Sequence, residues 1–164
     1  MKEINVREIK ENAVKMISDD WMLVTAGDDS GFNTMTASWG GIGELWAKDV
    51  VFVFIRPQRY TLEFIEKNDV FSLSFFGGDY KKELTFCGRN SGRDVDKMKE
   101  TNFTPVFSDG TTYFEEAETV LICKKLAVTE ITPDSFIDKD IDKNYANKDY
   151  HKVFIAEIVK TLKK

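Results

Sequence analysis

Asn33-Thr-Met-Thr-Ala-Ser-Trp39, followed at once by Gly40-Gly41-Ile42-Gly43, packs small hydroxyl side chains, one indole and a flexible exit into eleven residues. As a strand, it alternates Asn33, Met35, Ala37 and Trp39 on one face with Thr34, Thr36 and Ser38 on the other. The hydroxyl row leaves room beside the backbone for a flat polar ligand, and the indole can cover one of its faces. A half-buried strand ending in a glycine-softened turn has the same pattern, so the neighbouring stretches must decide.

Outward from this strand, Trp21-Met-Leu-Val-Thr-Ala26 is a short apolar run, and Gly27-Asp-Asp-Ser-Gly31 turns it back as a hairpin partner. Upstream, Val6, Ile9, Ala13, Val14, Met16 and Ile17 fall largely at helical spacing, which predicts one amphipathic helix over Val6–Ser18. Downstream, the Gly-Gly-Ile-Gly exit to Trp46 contains G-x-G but does not open a helix after a parallel strand, as a dinucleotide fingerprint must, and is read as a bend or bulge. Val50-Val-Phe-Val-Phe-Ile55 is the strongest strand signal in the chain, and its unbroken apolarity predicts burial on both faces.

That strand leads into Arg56-Pro-Gln-Arg-Tyr-Thr61 and a helix over Leu62–Lys67. Two guanidinium forks, a phenol and a threonine at a helix start could make one anion site from Arg56, Arg59, Tyr60 and Thr61. A capped helix with solvated arginines is the competing reading. Val70–Phe76 alternates as a strand, and Lys81–Phe86 reads as a short helix. The helix runs into Cys87-Gly-Arg-Asn-Ser-Gly-Arg-Asp-Val-Asp-Lys97, a loop able to present amides, Ser91 and Lys97 to a ligand, or simply a charged loop in water. Asp94 is the expected cap of a helix through Glu100. Thr101–Gly110 reads as loop, Thr111–Phe114 as a short strand, and Thr119–Thr129 as a long strand bent at its two lysines. Asp138–Asn144 reads as a surface excursion, and His151–Val159 as the closing strand. Strands spaced by turns, with helices as excursions, predict a mainly β, closed or partly closed antiparallel barrel in one domain over 1–164.

Composition narrows the function classes. A formal net charge of -5 argues against a general nucleic-acid or anionic-membrane binder. No apolar run approaches the length of a membrane helix, and Met1-Lys-Glu-Ile-Asn5 lacks the apolar core of a signal peptide, so the expected location is cytoplasmic. Cys87, Cys123 and the single His151 are too few and too scattered for a zinc site or a Cys/His dyad, and no metal is expected.

Taken together, Asn33–Trp39, Arg56–Thr61, Gly88-Arg-Asn-Ser-Gly-Arg-Asp-Val-Asp-Lys97 and His151 with Ile155-Ala-Glu-Ile158 resemble, in order and spacing, the flavin reductase-like family of FMN-binding split barrels that includes flavoredoxin. The resemblance runs from about Trp21 to Val159. It implies an antiparallel, Greek-key-like split β-barrel with six strands and peripheral helices, assembled as a homodimer with FMN at or near the subunit interface. Carried over, Thr36, Ala37, Ser38 and Trp39 would lie along the isoalloxazine and ribityl chain. Arg56, Arg59, Tyr60 and Thr61 would hold the phosphate, Ser91 and Lys97 would add contacts from the glycine-rich loop, and His151 would sit near the cofactor or the nicotinamide approach. His151 is the one candidate catalytic acid or base, beside a plain role as a hydrogen-bonded strand residue. Ala156 stands where the family often has glycine. The activity implied is passage of hydride from NADH or NADPH through FMN to free flavin or another acceptor. Two alternatives stay open: an FMN electron carrier with no nicotinamide site, and a small-molecule barrel that has lost the cofactor. The pyridoxamine-phosphate-oxidase-like barrels also bind FMN, but the Ser-Gly-Arg-Asp-Val-Asp-Lys loop is closer to the flavin reductase branch.

Overall fold

The computed structural model describes residues 1–164. Seven strands, β2 (Met22–Asp28), β3 (Gly31–Ala37), β4 (Gly40–Leu45), β5 (Lys48–Ile55), β6 (Val70–Phe75), β9 (Thr119–Glu130) and β10 (Lys152–Lys163), form one path in the order β3-β2-β6-β9-β10-β5-β4. Every pairing in it is antiparallel, and β1 (Lys2–Ile4) adds to the far end of β10. A separate hairpin, β7 (Pro105–Ser108) with β8 (Thr111–Phe114), lies outside this path. The architecture is the mainly β, antiparallel split barrel that the sequence predicts. The split is visible in the topology: β3 and β4 follow one another in the chain but end opposite sides of the path and do not pair.

The interior follows from alternation. Val24 of β2, Met35 and Ala37 of β3, Val51, Val53 and Ile55 of β5, and Leu73 of β6 point into one buried cluster. Leu62 and Ile65 of α2 (Thr61–Lys67) plug the same cluster. Leu23, Val120 and Ile122, on the opposite faces of their strands, form a second cluster with Leu84 and Cys87 of α3 (Lys81–Arg89) and with Phe103 and Phe114. The β2–β3 register sets Thr25 opposite Thr34, and their hydroxyls meet at 2.7 Å, so the two polar side chains satisfy each other in the core.

Four details differ from the sequence reading. The glycine-rich exit is not a bend but strand β4, paired with β5 from Gly40↔Val53 to Leu45↔Lys48; glycine's weak strand preference is overridden by the ready-made edge of β5. That makes the path seven strands, not six. The Val6–Ser18 helix is broken, because Asn5 and Asn12 each cap a fresh turn: a 3-10 turn at Val6–Glu8, then α1 (Ala13–Lys15) running into a π-helical stretch at Met16–Asp20. Pro105–Ser108, read as loop, is β7, an edge strand where proline's missing donor costs nothing. Asp96, not Asp94, caps α4 (Lys97–Thr101), accepting from the amides of Met98 and Lys99. Beside the two lysines of β9 the β10 register slips, between Ala127↔Ile155 and Lys125↔Ala156. Ala156 is fully buried in the interior cluster.

Candidate functional site

Because β3 ends the path, one of its edges has no strand partner, and its backbone groups are free to meet something else. Two adjoining hollows lie along it. One, of about 270 Å³, is lined by Thr36, Ala37, Ser38, Trp39, Phe54, Arg56 and His151. The other, of about 130 Å³, is lined by Tyr60, Thr61, Asn90, Ser91, Gly92 and Lys97. Met35, Gln58 and Arg59 border both, so the two hollows adjoin along β3 and together make up the cleft.

Two cations hold the wall of this cleft together. Arg59 donates from Nη1 to Gly88 O at 2.7 Å and from Nη2 to Thr36 O at 3.4 Å. Lys97 donates from Nζ to Thr34 O at 2.6 Å and to Cys87 O at 2.9 Å. Both therefore tie carbonyls of β3 to carbonyls at the C-terminal end of α3. Thr36 Oγ1 adds a third tie, donating to Leu84 O at 2.5 Å. Neither cation has a carboxylate within ion-pair distance, which leaves uncompensated positive charge at this end of the cleft. Burial, more than the nearby cations, lowers the Lys97 ammonium to about 8 and pulls Arg59 below its usual value.

The glycine-rich loop is fixed by contact with the same strand. A Cβ on Gly92 would stand 2.0 Å from Asn33 Oδ1, so the loop can approach β3 only as glycine. Asn33 in turn donates to the buried Thr61 hydroxyl at 2.8 Å, joining β3 to the start of α2. Tyr60 packs edge-on against Phe64 and lies under the Arg93 guanidinium, 4.4 Å away. Ser91 Oγ accepts from the Arg93 amide at 3.2 Å.

At the other end the surroundings are aromatic and neutral. Trp39 is 52% exposed, with its ring 5.6 Å from that of His151, and Phe54 meets the same imidazole edge-on. His151 is buried, and desolvation, then the charge of Arg56, push it down to about 4, so the ring is neutral at physiological pH. Arg56 does not join Arg59. Its Nη1 donates to Asp149 Oδ2 at 2.6 Å and its Nη2 to Asn144 O at 2.9 Å, and it lies 5.0 Å over the Tyr145 ring. Gln58 Nε2 donates to the same Asp149 oxygen at 2.7 Å.

All ten sequence-chosen binding residues and His151 thus border one cleft. Thr36, Ala37, Ser38, Trp39, Arg56 and His151 gather at the aromatic end, Tyr60, Thr61, Ser91 and Lys97 at the cationic end, with Arg59 between. The hydroxyl row is less open than its pattern suggests: Thr34 is spent on Thr25 and Thr36 on Leu84 O. The model of the flavin reductase like domain matches residues 16–163.

The chain belongs to that family.

Solved structures of similar fold include flavoredoxin from Methanosarcina acetivorans, 21% identical, covering 100% of this chain and 75% of that one with a TM-score of 0.68. An FMN-binding protein from Thermus thermophilus, with bound 1-cyclohex-2-enone, is 22% identical over 99% of this chain and 80% of its own, TM-score 0.67. An NADH:FAD oxidoreductase from Streptomyces globisporus, in complex with NAD and FAD fragments, is 17% identical over 88% and 74% of the two chains, TM-score 0.67. No curated protein matches the sequence. No helix of this flavin reductase-like domain is long and apolar enough to cross a membrane.

Sequence reading passed over several residues that shape the site, among them Asn33, Gln58, Tyr145 and Asp149. Asn33 and Gln58 sat inside quoted motifs, but nothing local reveals their partners. Tyr145 and Asp149 belong to the excursion between β9 and β10, whose polar composition masks the face it turns toward the cleft.

Proposed function

We propose that this domain binds FMN along the free edge of β3 and passes reducing equivalents from NADH or NADPH through it to a second acceptor. The observation that carries this reading is the polarity of the cleft: two cations without carboxylate partners, Lys97 at one end and Arg59 at the junction, with an exposed indole and a neutral imidazole at the other end. A flavin mononucleotide has the matching order, a phosphate on a polar chain leading to a flat ring. The two hollows together reach the lower bound of small-molecule sites, about 300 to 1,000 Å³. Arg59, Lys97 and Ser91 would hold the phosphate end, with Tyr60 and Thr61 beside it. Backbone groups of Thr36–Ser38 would meet the polar edge of the ring, and Trp39 would cover it. When bound, the flavin supplies the redox chemistry, and the protein supplies orientation and electrostatics. The relatives support a flavin as the ligand: one is named an FMN-binding protein, and another is an NADH:FAD oxidoreductase.

An FMN electron carrier without a nicotinamide site is the second reading. It is favoured by Arg56, the cation nearest the aromatic end, which is consumed by Asp149 and Asn144 and so is not free for a dinucleotide pyrophosphate. The likeness to flavoredoxin points the same way. One experiment separates the two. The purified protein is given FMN, desalted, and titrated anaerobically with NADH and with NADPH while its absorbance is followed. Retained yellow colour that bleaches supports the reductase, retained colour that does not bleach supports the carrier, and failure to retain or turn over FMN overturns both.

A further inference from the structure

His151 is the only histidine in the chain, and one of its two ring nitrogens is already committed. Nδ1 lies 2.8 Å from the hydroxyl of Tyr145, a residue of the 3-10 stretch Lys139–Tyr145 in the β9–β10 excursion. Both residues are 6% exposed. Tyr145 is held in position from three sides: stacked on Tyr150 at 4.8 Å and Phe136 at 5.8 Å, with the Arg56 guanidinium 5.0 Å over its ring. Nε2 of His151 has no partner in the protein, and the imidazole lines the cleft.

The direction of the Tyr145–His151 bond follows from satisfaction of buried donors. The phenol keeps its proton, since burial raises Tyr145 above its usual value. That proton has one acceptor within reach, Nδ1. Were Nδ1 to carry a hydrogen and donate to the phenol, the phenolic proton would be buried with nothing to accept it, a loss of about 1 to 3 kcal/mol. With Nδ1 accepting, the ring's one hydrogen is on Nε2.

We propose that Tyr145 is a positioning residue that locks His151 as the neutral Nε2–H tautomer, so that the imidazole presents a hydrogen-bond donor, not a base, to the aromatic end of the cleft. The ligand atom it meets is then an acceptor of the carbonyl-oxygen type. The charged groups around the imidazole are Arg56 at the end of β5 and Asp149 on the excursion; they act on it in opposite directions, and burial outweighs both in keeping it neutral. The tautomer does not depend on the flavin reading; only the meaning of a donor at the ring end rests on it.

Because the chain has a single histidine, the test has one pair of signals. Uniformly ¹⁵N-labelled full-length protein, without added flavin, is examined by long-range ¹H–¹⁵N correlation from pH 7.5 downward. Wild type is expected to show a pyridine-like Nδ1 and a pyrrole-like Nε2. In Tyr145→Phe the two nitrogen shifts should move toward each other as tautomers mix, and the midpoint of protonation should rise. Phe136→Leu loosens the same aromatic stack without touching the hydroxyl and should leave the tautomer unchanged. A protonated Nδ1 in wild type overturns the proposal, as does an unaltered tautomer in folded Tyr145→Phe. Should that variant fail to fold, the wild-type spectrum decides alone. FMN that fails to bind would sink the functional reading and leave this result standing.

Discussion

At the scale of single residues, the buried imidazole makes a prediction about acid. His151 in the folded protein takes up its proton only near pH 4, whereas in the unfolded chain it does so near 6.5. Between those values the unfolded state binds more protons, so stability rises with pH across that window and is flat in this group above it. The full difference is worth on the order of 3 kcal/mol at about 1.4 kcal/mol per pH unit. The low-held carboxylates Glu11, Asp28, Asp109 and Asp149 lose their contribution as the pH falls through the ordinary carboxylate range, from about pH 5 downward, so the window above that belongs to His151. Urea unfolding at intervals from pH 5 to 7 should therefore show a slope in wild type that His151→Gln abolishes; an equal slope in both would mean the imidazole is not buried neutral. The sequence marks Arg59 and Lys97 as cations in polar loops and His151 as the lone histidine. The partners of Arg59 and Lys97 are carbonyls at Gly88, Thr36, Thr34 and Cys87, and a carbonyl has no letter of its own.

At the scale of elements, the wall of the cleft is β3 tied to α3 and to the start of α2. Gly92→Ala would drive a methyl group against Asn33 Oδ1, and Asn33 cannot swing away without releasing Thr61. Overpacking of this kind costs about 1 to 3 kcal/mol. Asn33→Ala removes the obstructing atom, so Gly92→Ala should cost less in that background, and a double-mutant cycle in thermal unfolding should show a coupling of about 1 kcal/mol or more. Strict additivity would mean that the loop does not rest on Asn33. The second tie predicts a pH dependence of binding. Lys97 loses its proton near pH 8, so its attraction for a phosphate dianion fades as the pH rises from 7 to 9.5. FMN affinity, followed by quenching of flavin fluorescence, should fall about tenfold over that range, equivalent to about 1.4 kcal/mol. Lys97→Met should bind more weakly at pH 7 and show no such decline; a wild type with flat affinity would remove Lys97 from the phosphate end. Elements with strong periodicity, β2, β5, β6 and α2, are legible in the sequence. β4 and β7 are not, because three glycines and a proline become strand only when a neighbour offers an edge to pair with, information held elsewhere in the chain.

At the scale of the whole molecule, β5 poses a question that one copy does not answer. Its run of Val50–Ile55 predicts burial on both faces, and Val51, Val53 and Ile55 do fill the barrel interior. Phe52 and Phe54 point the other way and are only half-buried, with Ile155 of β10, also half-buried, directly opposite Phe52. A β-branched and aromatic face left in water is costly, by roughly 25 cal/mol for each Å² of apolar surface, and a second copy of the chain seated on this face would recover that cost. Phe54 also touches His151, so such an interface would adjoin the aromatic end of the cleft, in keeping with the homodimer and interfacial flavin that the family resemblance implies. Light scattering should accordingly give twice the mass of one 18.8 kDa chain for wild type and a single-chain mass for Phe52→Glu, which places a carboxylate at the centre of the face while leaving the interior side of β5 untouched. If the neighbouring copy walls the cleft, Phe52→Glu should also lower FMN retention on desalting. A wild-type monomer would leave the outer face of β5 unexplained, and a dimeric Phe52→Glu would move the contact to another surface. A monomeric variant that holds FMN as tightly as wild type would show that each copy builds its flavin site alone.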